Sequence, residues 1–75
     1  MKIYDLPLFY YEESENGVYI FSIYNGYREN ERIKLSDIVT FYARGRKIKA
    51  RIYNIYYFDE YNKYYCKEVG TNDNI

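Results

Sequence analysis

The feature that most constrains this chain is the run at residues 46–58 (RKIKARIYNIYYF). Ile48, Ala50 and Ile52 alternate with Lys47, Lys49 and Arg51. A period of two is the period of a strand, with one face turned to a core and the other to solvent. Ile55 then follows Ile52 by three positions, not two. That change of phase predicts a bulge or sharp bend near Tyr53-Asn54.

The rest of the chain reads the same way. Residues 2–11 form a first strand, with Pro7 marking an edge or a bulge. Asn16-Gly17 and Asn25-Gly26 are hairpin signals, because both residue types accept the positive φ of a tight turn. Residues 18–24 (VYIFSIY) lie between them as a strand, and residues 27–34 are expected to return as another. Residues 38–43 (IVTFYA) are a strand, Arg44-Gly45 a turn, 59–62 the last turn and 63–69 (KYYCKEV) the last strand. No window keeps helical spacing for three turns. The expected fold is all-β: a small antiparallel, strongly bent sheet or barrel of five to six strands. Bending hides an apolar face that a flat sheet would expose. One domain spans residues 1–69, and residues 70–75 form a polar tail expected to fray.

Composition removes several chemistries. The chain has 75 residues, no His and one Cys. It therefore has no imidazole base, no His metal ligand, no intrachain disulfide and no thiolate zinc cluster. Glu12-Glu13 and Asp59-Glu60 are adjacent carboxylates at expected turns, where such groups are solvated. No Gly-rich phosphate loop is present. The expectation is a protein that is not an enzyme and uses no metal or cofactor. No apolar run reaches the ~18 residues of a membrane helix. The N-terminal residues lack the apolar stretch of a signal peptide, so the expected location is cytoplasmic.

Charge is polarised beneath a formal net charge of zero. Residues 1–32 carry three basic and six acidic side chains, residues 33–51 six and one, and residues 52–75 two and four. The basic block is a hairpin carrying Arg44, Arg46, Lys47, Lys49 and Arg51. Lys47, Lys49, Arg51 and Tyr53 would stand in a row on one face of the long strand, joined by Tyr42 from its neighbour. Cations with aromatic rings suit phosphates and unpaired bases. The plainer alternative is a solvated face whose charges discourage edge pairing.

Tyrosine is the second oddity, at 13 residues. Part of this excess has a plain source, because Tyr, Asn, Ile and Lys all have AT-rich codons. The doublets Tyr10-Tyr11, Tyr56-Tyr57 and Tyr64-Tyr65 each lie in an expected strand, so each places one ring outward. Outward tyrosines form the kind of apolar, hydrogen-bonding patch that marks an interface. The candidate partner-binding residues are Tyr42, Arg44, Arg46, Lys47, Lys49, Arg51, Tyr53, Tyr57 and Tyr65.

Three segments within residues 35–69 resemble small SH3-like β-barrel modules. They are Leu35-Ser36-Asp37-Ile38-Val39-Thr40-Phe41, then Arg44-Gly45-Arg46-Lys47, then Lys49-Ala50-Arg51-Ile52-Tyr53-Asn54-Ile55. The resemblance implies a barrel-like fold and a non-enzymatic adaptor role, and it transfers no binding residues.

Two functions follow as expectations. The first is a protein-binding module of phage or mobile-element type that occupies, and inhibits or modulates, a larger host or defence protein. The second is a single-stranded nucleic-acid binder that uses residues 44–51 and the neighbouring tyrosines. A homo-oligomer with tyrosines at a symmetric interface is a third reading.

Overall fold

The long alternating run is the spine of the sheet. The computed structural model describes residues 2–6 and 11–69. Within it, strand β5 (Arg46–Tyr57) pairs antiparallel with β4 (Ile38–Ala43) on one side and β6 (Tyr61–Glu68) on the other. Strand β3 (Val18–Tyr24) pairs antiparallel with β6, and β2 (Glu12–Ser14) with β3. Strand β1 (Ile3–Asp5) completes a six-stranded sheet of order β1-β4-β5-β6-β3-β2. The fold is all-β, and among the described residues its connections hold a 3-10 turn at Glu15–Gly17 and one α-helical turn, α1 (Arg28–Arg32).

The change of phase in the sequence is a bulge. Ile52 stands opposite Cys66 and Asn54 opposite Tyr65, so Tyr53 is the extra residue. The Asn54 side chain accepts a hydrogen bond from the Ile55 amide at 2.9 Å, fixing the kink. The bulge returns Ile55 to the inner face, where it packs against the core, and turns Tyr56 outward.

The sheet curls around that inner face. Phe41 on β4 meets Tyr19 on β3 with ring centroids 5.3 Å apart, and Phe21 at 6.4 Å. Three inter-strand steps separate those strands, which is about 14 Å in a flat sheet. Val39, Phe41, Ile48, Ala50, Tyr64 and Cys66 are fully buried inside the curl. The six strands do not close into a complete ring. Arg44, at the β4–β5 turn, pairs with Glu13 on β2 across the rim.

Four expectations are corrected. The 2–11 strand is shorter than expected: β1 stops at Asp5, and residues 7–10, including Pro7 and Tyr10, lie outside the described residues. Glu12 and Glu13 lie in a strand, not in a turn. Residues 27–34 do not return as a strand. Gly26, at φ 102°, turns the chain into α1, since Arg28 to Arg32 offer no apolar alternation to hold a strand. The turn delivers Ile33 to the core at 2% exposure.

The fourth correction is that β1 runs parallel to β4. A parallel pair needs a long connection, which here contains β2, β3 and α1. Asp37, nearly buried, secures it: its carboxylate accepts from the Lys2 amide at 3.1 Å and the Lys34 amide at 2.9 Å.

The tight turns follow their residues. Asn16 and Gly17 have φ of 65° and 75°, and Arg44 and Gly45 have φ of 53° and 80°. At Arg44-Gly45 the two positive φ values form the two-residue turn that matches strand twist, and at Glu15–Gly17 they close a three-residue connection. The C-terminal tail at 70–75 lies outside the described residues. Among the described residues, no helix is long and apolar enough to cross a membrane.

Candidate functional site

Strand parity divides the charged and aromatic side chains into two populations. The outer face carries Lys47, Lys49 and Arg51 on β5, and Lys63 and Lys67 on β6. These five cations sit among Tyr42, Tyr53, Tyr56, Tyr65 and Tyr61. The register puts Tyr42 beside Lys47, Thr40 beside Lys49, Arg51 beside Lys67 and Tyr56 beside Lys63. No carboxylate lies on this face of β4, β5, β6 or β3. The face's acids, Asp5 and Glu12, are confined to the edge strands β1 and β2.

The rings and cations are arranged by contact. Tyr65 is the hub: Tyr56 meets it edge-on at 5.3 Å and Tyr53 at 6.2 Å. The Lys63 ammonium lies 5.9 Å from the centroid of the same ring, and the Lys47 ammonium 5.0 Å from that of Tyr42. A cation held against a ring keeps its charge while its stem shields apolar surface. Tyr42 is 66% exposed and Tyr53 52%, so both rings remain open to solvent.

The ion pairs draw other cations away from this face. Arg46 lies on the inner side, where its guanidinium grips Glu68 at 3.0 and 3.4 Å. That contact raises the Arg46 pKa. Arg44 is engaged by Glu13 at the rim. Lys47 pairs with Asp5 at 2.8 Å. The hydrogen bond from Lys47, seconded by the Thr40 hydroxyl at 2.7 Å, holds the Asp5 carboxyl below its usual range. The same contact raises the Lys47 ammonium. Lys49, Lys63 and Lys67 have no ion-pair partner among the described residues.

Of the residues singled out from sequence, Tyr42, Lys47, Lys49, Arg51, Tyr53 and Tyr65 share the outer face. Arg44 stands at the turn, Arg46 on the inner side, and Tyr57 at an inner-facing position on the rim, 71% exposed. Lys63, Lys67 and Tyr56 join the face without having been singled out. The alternation of β6, Tyr61-Asn62-Lys63-Tyr64-Tyr65-Cys66-Lys67, was a usable signal for two of them. What it lacked was the identity of the strand alongside.

A second exposed aromatic group sits at the β5–β6 turn. Phe58 stacks on Tyr61 at 4.9 Å, and Tyr24 meets Tyr61 at 5.7 Å. Tyr24 and Tyr61 lie at the turn end of the outer face, and the charges beside them are Asp59 and Glu60, so this end differs in sign from the lysine-bearing part.

Chemistry of other kinds has little to work with. Among the described residues, no group of three or more metal-ligating side chains converges. Cys66 is fully buried, and its thiol donates to the Tyr19 carbonyl at 3.5 Å. Burial pushes its pKa up to about 12, so the thiolate required of a nucleophile is suppressed. Burial likewise raises Tyr19 and Tyr64.

Compared with known proteins, the chain matches no family model, no curated protein and no solved structure.

Proposed function

We propose that this protein is a non-enzymatic binding domain that takes single-stranded nucleic acid on the outer face of its sheet. The observation that carries this reading is the segregation of charge: five cations and no carboxylate on the outer face of the central strands, interleaved with exposed tyrosines. The cations neutralise phosphates, while the rings stack on unpaired bases for about 1–3 kcal/mol each. The identity of the cations favours this ligand over a protein. Four of the five are lysines, a residue depleted at protein–protein interfaces but suited to phosphate as a point charge.

The test is a titration of a labelled single-stranded oligonucleotide, with the duplex of the same sequence as comparison. The single strand binds the native protein, and the duplex binds more weakly because its bases cannot reach the rings. Lys49→Glu combined with Lys63→Glu abolishes binding without unfolding the domain. Native protein that binds neither strand nor duplex at low salt rejects the reading.

The second aromatic group favours a further reading, the protein-binding module of phage or mobile-element type. Tyr24, Phe58 and Tyr61 form an exposed apolar contact with no cation between them. Aromatic clusters of this kind anchor protein partners. A partner that stays bound at 1:1 stoichiometry after nuclease treatment, and is lost with Tyr24→Ala plus Phe58→Ala, supports it. Insensitivity to those substitutions removes it.

A further inference from the structure

The bulge that turns the long strand also opens a cleft beside it. Val18, Arg51, Tyr53, Lys67, Glu68 and Val69 line a space of about 540 Å³. That volume falls in the range of about 300–1,000 Å³ typical of small-molecule sites. Its walls differ in chemistry. Val18 and Val69 are apolar. Tyr53, displaced from the ladder as the extra residue, offers a half-exposed ring held edge-on by Tyr65. Arg51 and Lys67 occupy directly opposed positions on β5 and β6, which concentrates two positive charges at one point of the sheet. Glu68 borders the cleft, while its carboxylate is held by Arg46 on the inner side of the sheet.

We propose that this cleft is a single-nucleotide subsite: the base lies against Tyr53 between the two valines, and its phosphate is held between Arg51 and Lys67. The inference rests on the nucleic-acid reading above and deepens it, because it names the place where one nucleotide is bound by more than charge. A ring, an apolar slot and a pair of opposed cations match the three parts of a nucleoside monophosphate: base, sugar and phosphate.

The test uses thymidine 5′-monophosphate, thymidine and inorganic phosphate as probes of the full chain, with a short oligothymidylate alongside. Thymidine 5′-monophosphate shifts the backbone amide signals of Val18 and Val69 and competes with the oligonucleotide. It binds more tightly than either thymidine or phosphate alone. Tyr53→Leu weakens it about tenfold, as expected for the loss of one stacked base. Lys67→Gln weakens it about tenfold or more, the worth of one charge-assisted contact. Lys49→Gln, which removes the same charge outside the cleft, changes it little while still weakening the oligonucleotide. If the oligonucleotide binds but the mononucleotide leaves Val18 and Val69 unmoved, the subsite is wrong and the outer-face reading stands. Equal losses from Lys49→Gln and Lys67→Gln for the mononucleotide overturn it in the same way. If mononucleotide binds with the expected pattern and the oligonucleotide does not bind, the cleft stands and the wider reading falls. If neither binds, both are overturned.

Discussion

Arg51 and Lys67 face each other across the β5–β6 ladder, two cations at one cross-strand position. Opposed like charges disfavour a sheet, whereas an anion laid across them favours binding. Fold and function therefore pull against each other at this point.

Lys67→Glu separates the two. It turns a like-charge pair into an opposite-charge one and should stabilise the fold by about 0.5–1 kcal/mol at low salt. It should also weaken oligonucleotide binding. Thermal melts and titrations of the same preparation check both signs. Destabilisation, or unchanged binding, contradicts the role given to Lys67.

Asp5 is the acid that intrudes on the edge of the outer face, and it engages Lys47. Exposed pairs of this kind contribute little to stability, because solvent screens them. Asp5→Asn should therefore leave the melting temperature nearly unchanged and tighten oligonucleotide binding, since it frees Lys47 for phosphate. Weaker binding by Asp5→Asn would show that the pair positions Lys47 instead of competing for it.

Phe41 tests the curl. It touches Tyr11, Tyr19 and Phe21 across the inside of the sheet and is fully buried. Phe41→Ala should cost about 3–5 kcal/mol, most of the stability of a domain this small. Tyr42→Ala, the next residue but on the outer face, should change stability by no more than about 0.5 kcal/mol. Urea midpoints distinguish them. Similar losses at the two sites contradict the assignment of faces.

Alkaline pH reads out the buried thiol. Cys66 is pushed from 9.0 up to about 12 in the fold, so the native state favours the neutral form. Its contribution is fully present below about pH 9. As pH rises from 9 towards 12, the unfolded chain gives up its proton and the native chain keeps it. Stability then falls steadily with pH on account of this one group. Tyr19 and Tyr64, also raised, act with the same sign. Cys66→Ala should flatten the early part of that decline. In the native protein at neutral pH, a thiol reagent should not label Cys66 until denaturant is added. Rapid native labelling contradicts the burial.

Much of this was legible in the chain because local pattern and fold agree. The alternation from Lys47 to Ile52 gave the faces of β5, and the three-residue step to Ile55 gave the bulge. Asn16-Gly17 and Arg44-Gly45 gave turns because their φ values are positive. The outward row Lys47, Lys49 and Arg51 was readable for the same reason. What could not be read depended on partners distant in sequence. The β1–β4 pairing joins Tyr4 to Val39, and no local pattern specifies a parallel neighbour. Residues 28–32 have neither strand nor helix periodicity, and only the burial of Ile33 explains their turn. Arg46 belongs to the basic hairpin in sequence, but Glu68 on another strand holds it on the inner side. Lys67 and Lys63 joined the face only through the β5–β6 register.

The central claim is that the outer face binds through phosphate, and the salt dependence of affinity tests it most directly. If about four of its five cations engage a single strand, the slope of log K against log salt should be about −3. The slope should fall towards about −2 in Lys49→Gln, as one phosphate contact is lost. A slope near zero in the native protein, or one unmoved by Lys49→Gln, would contradict the account.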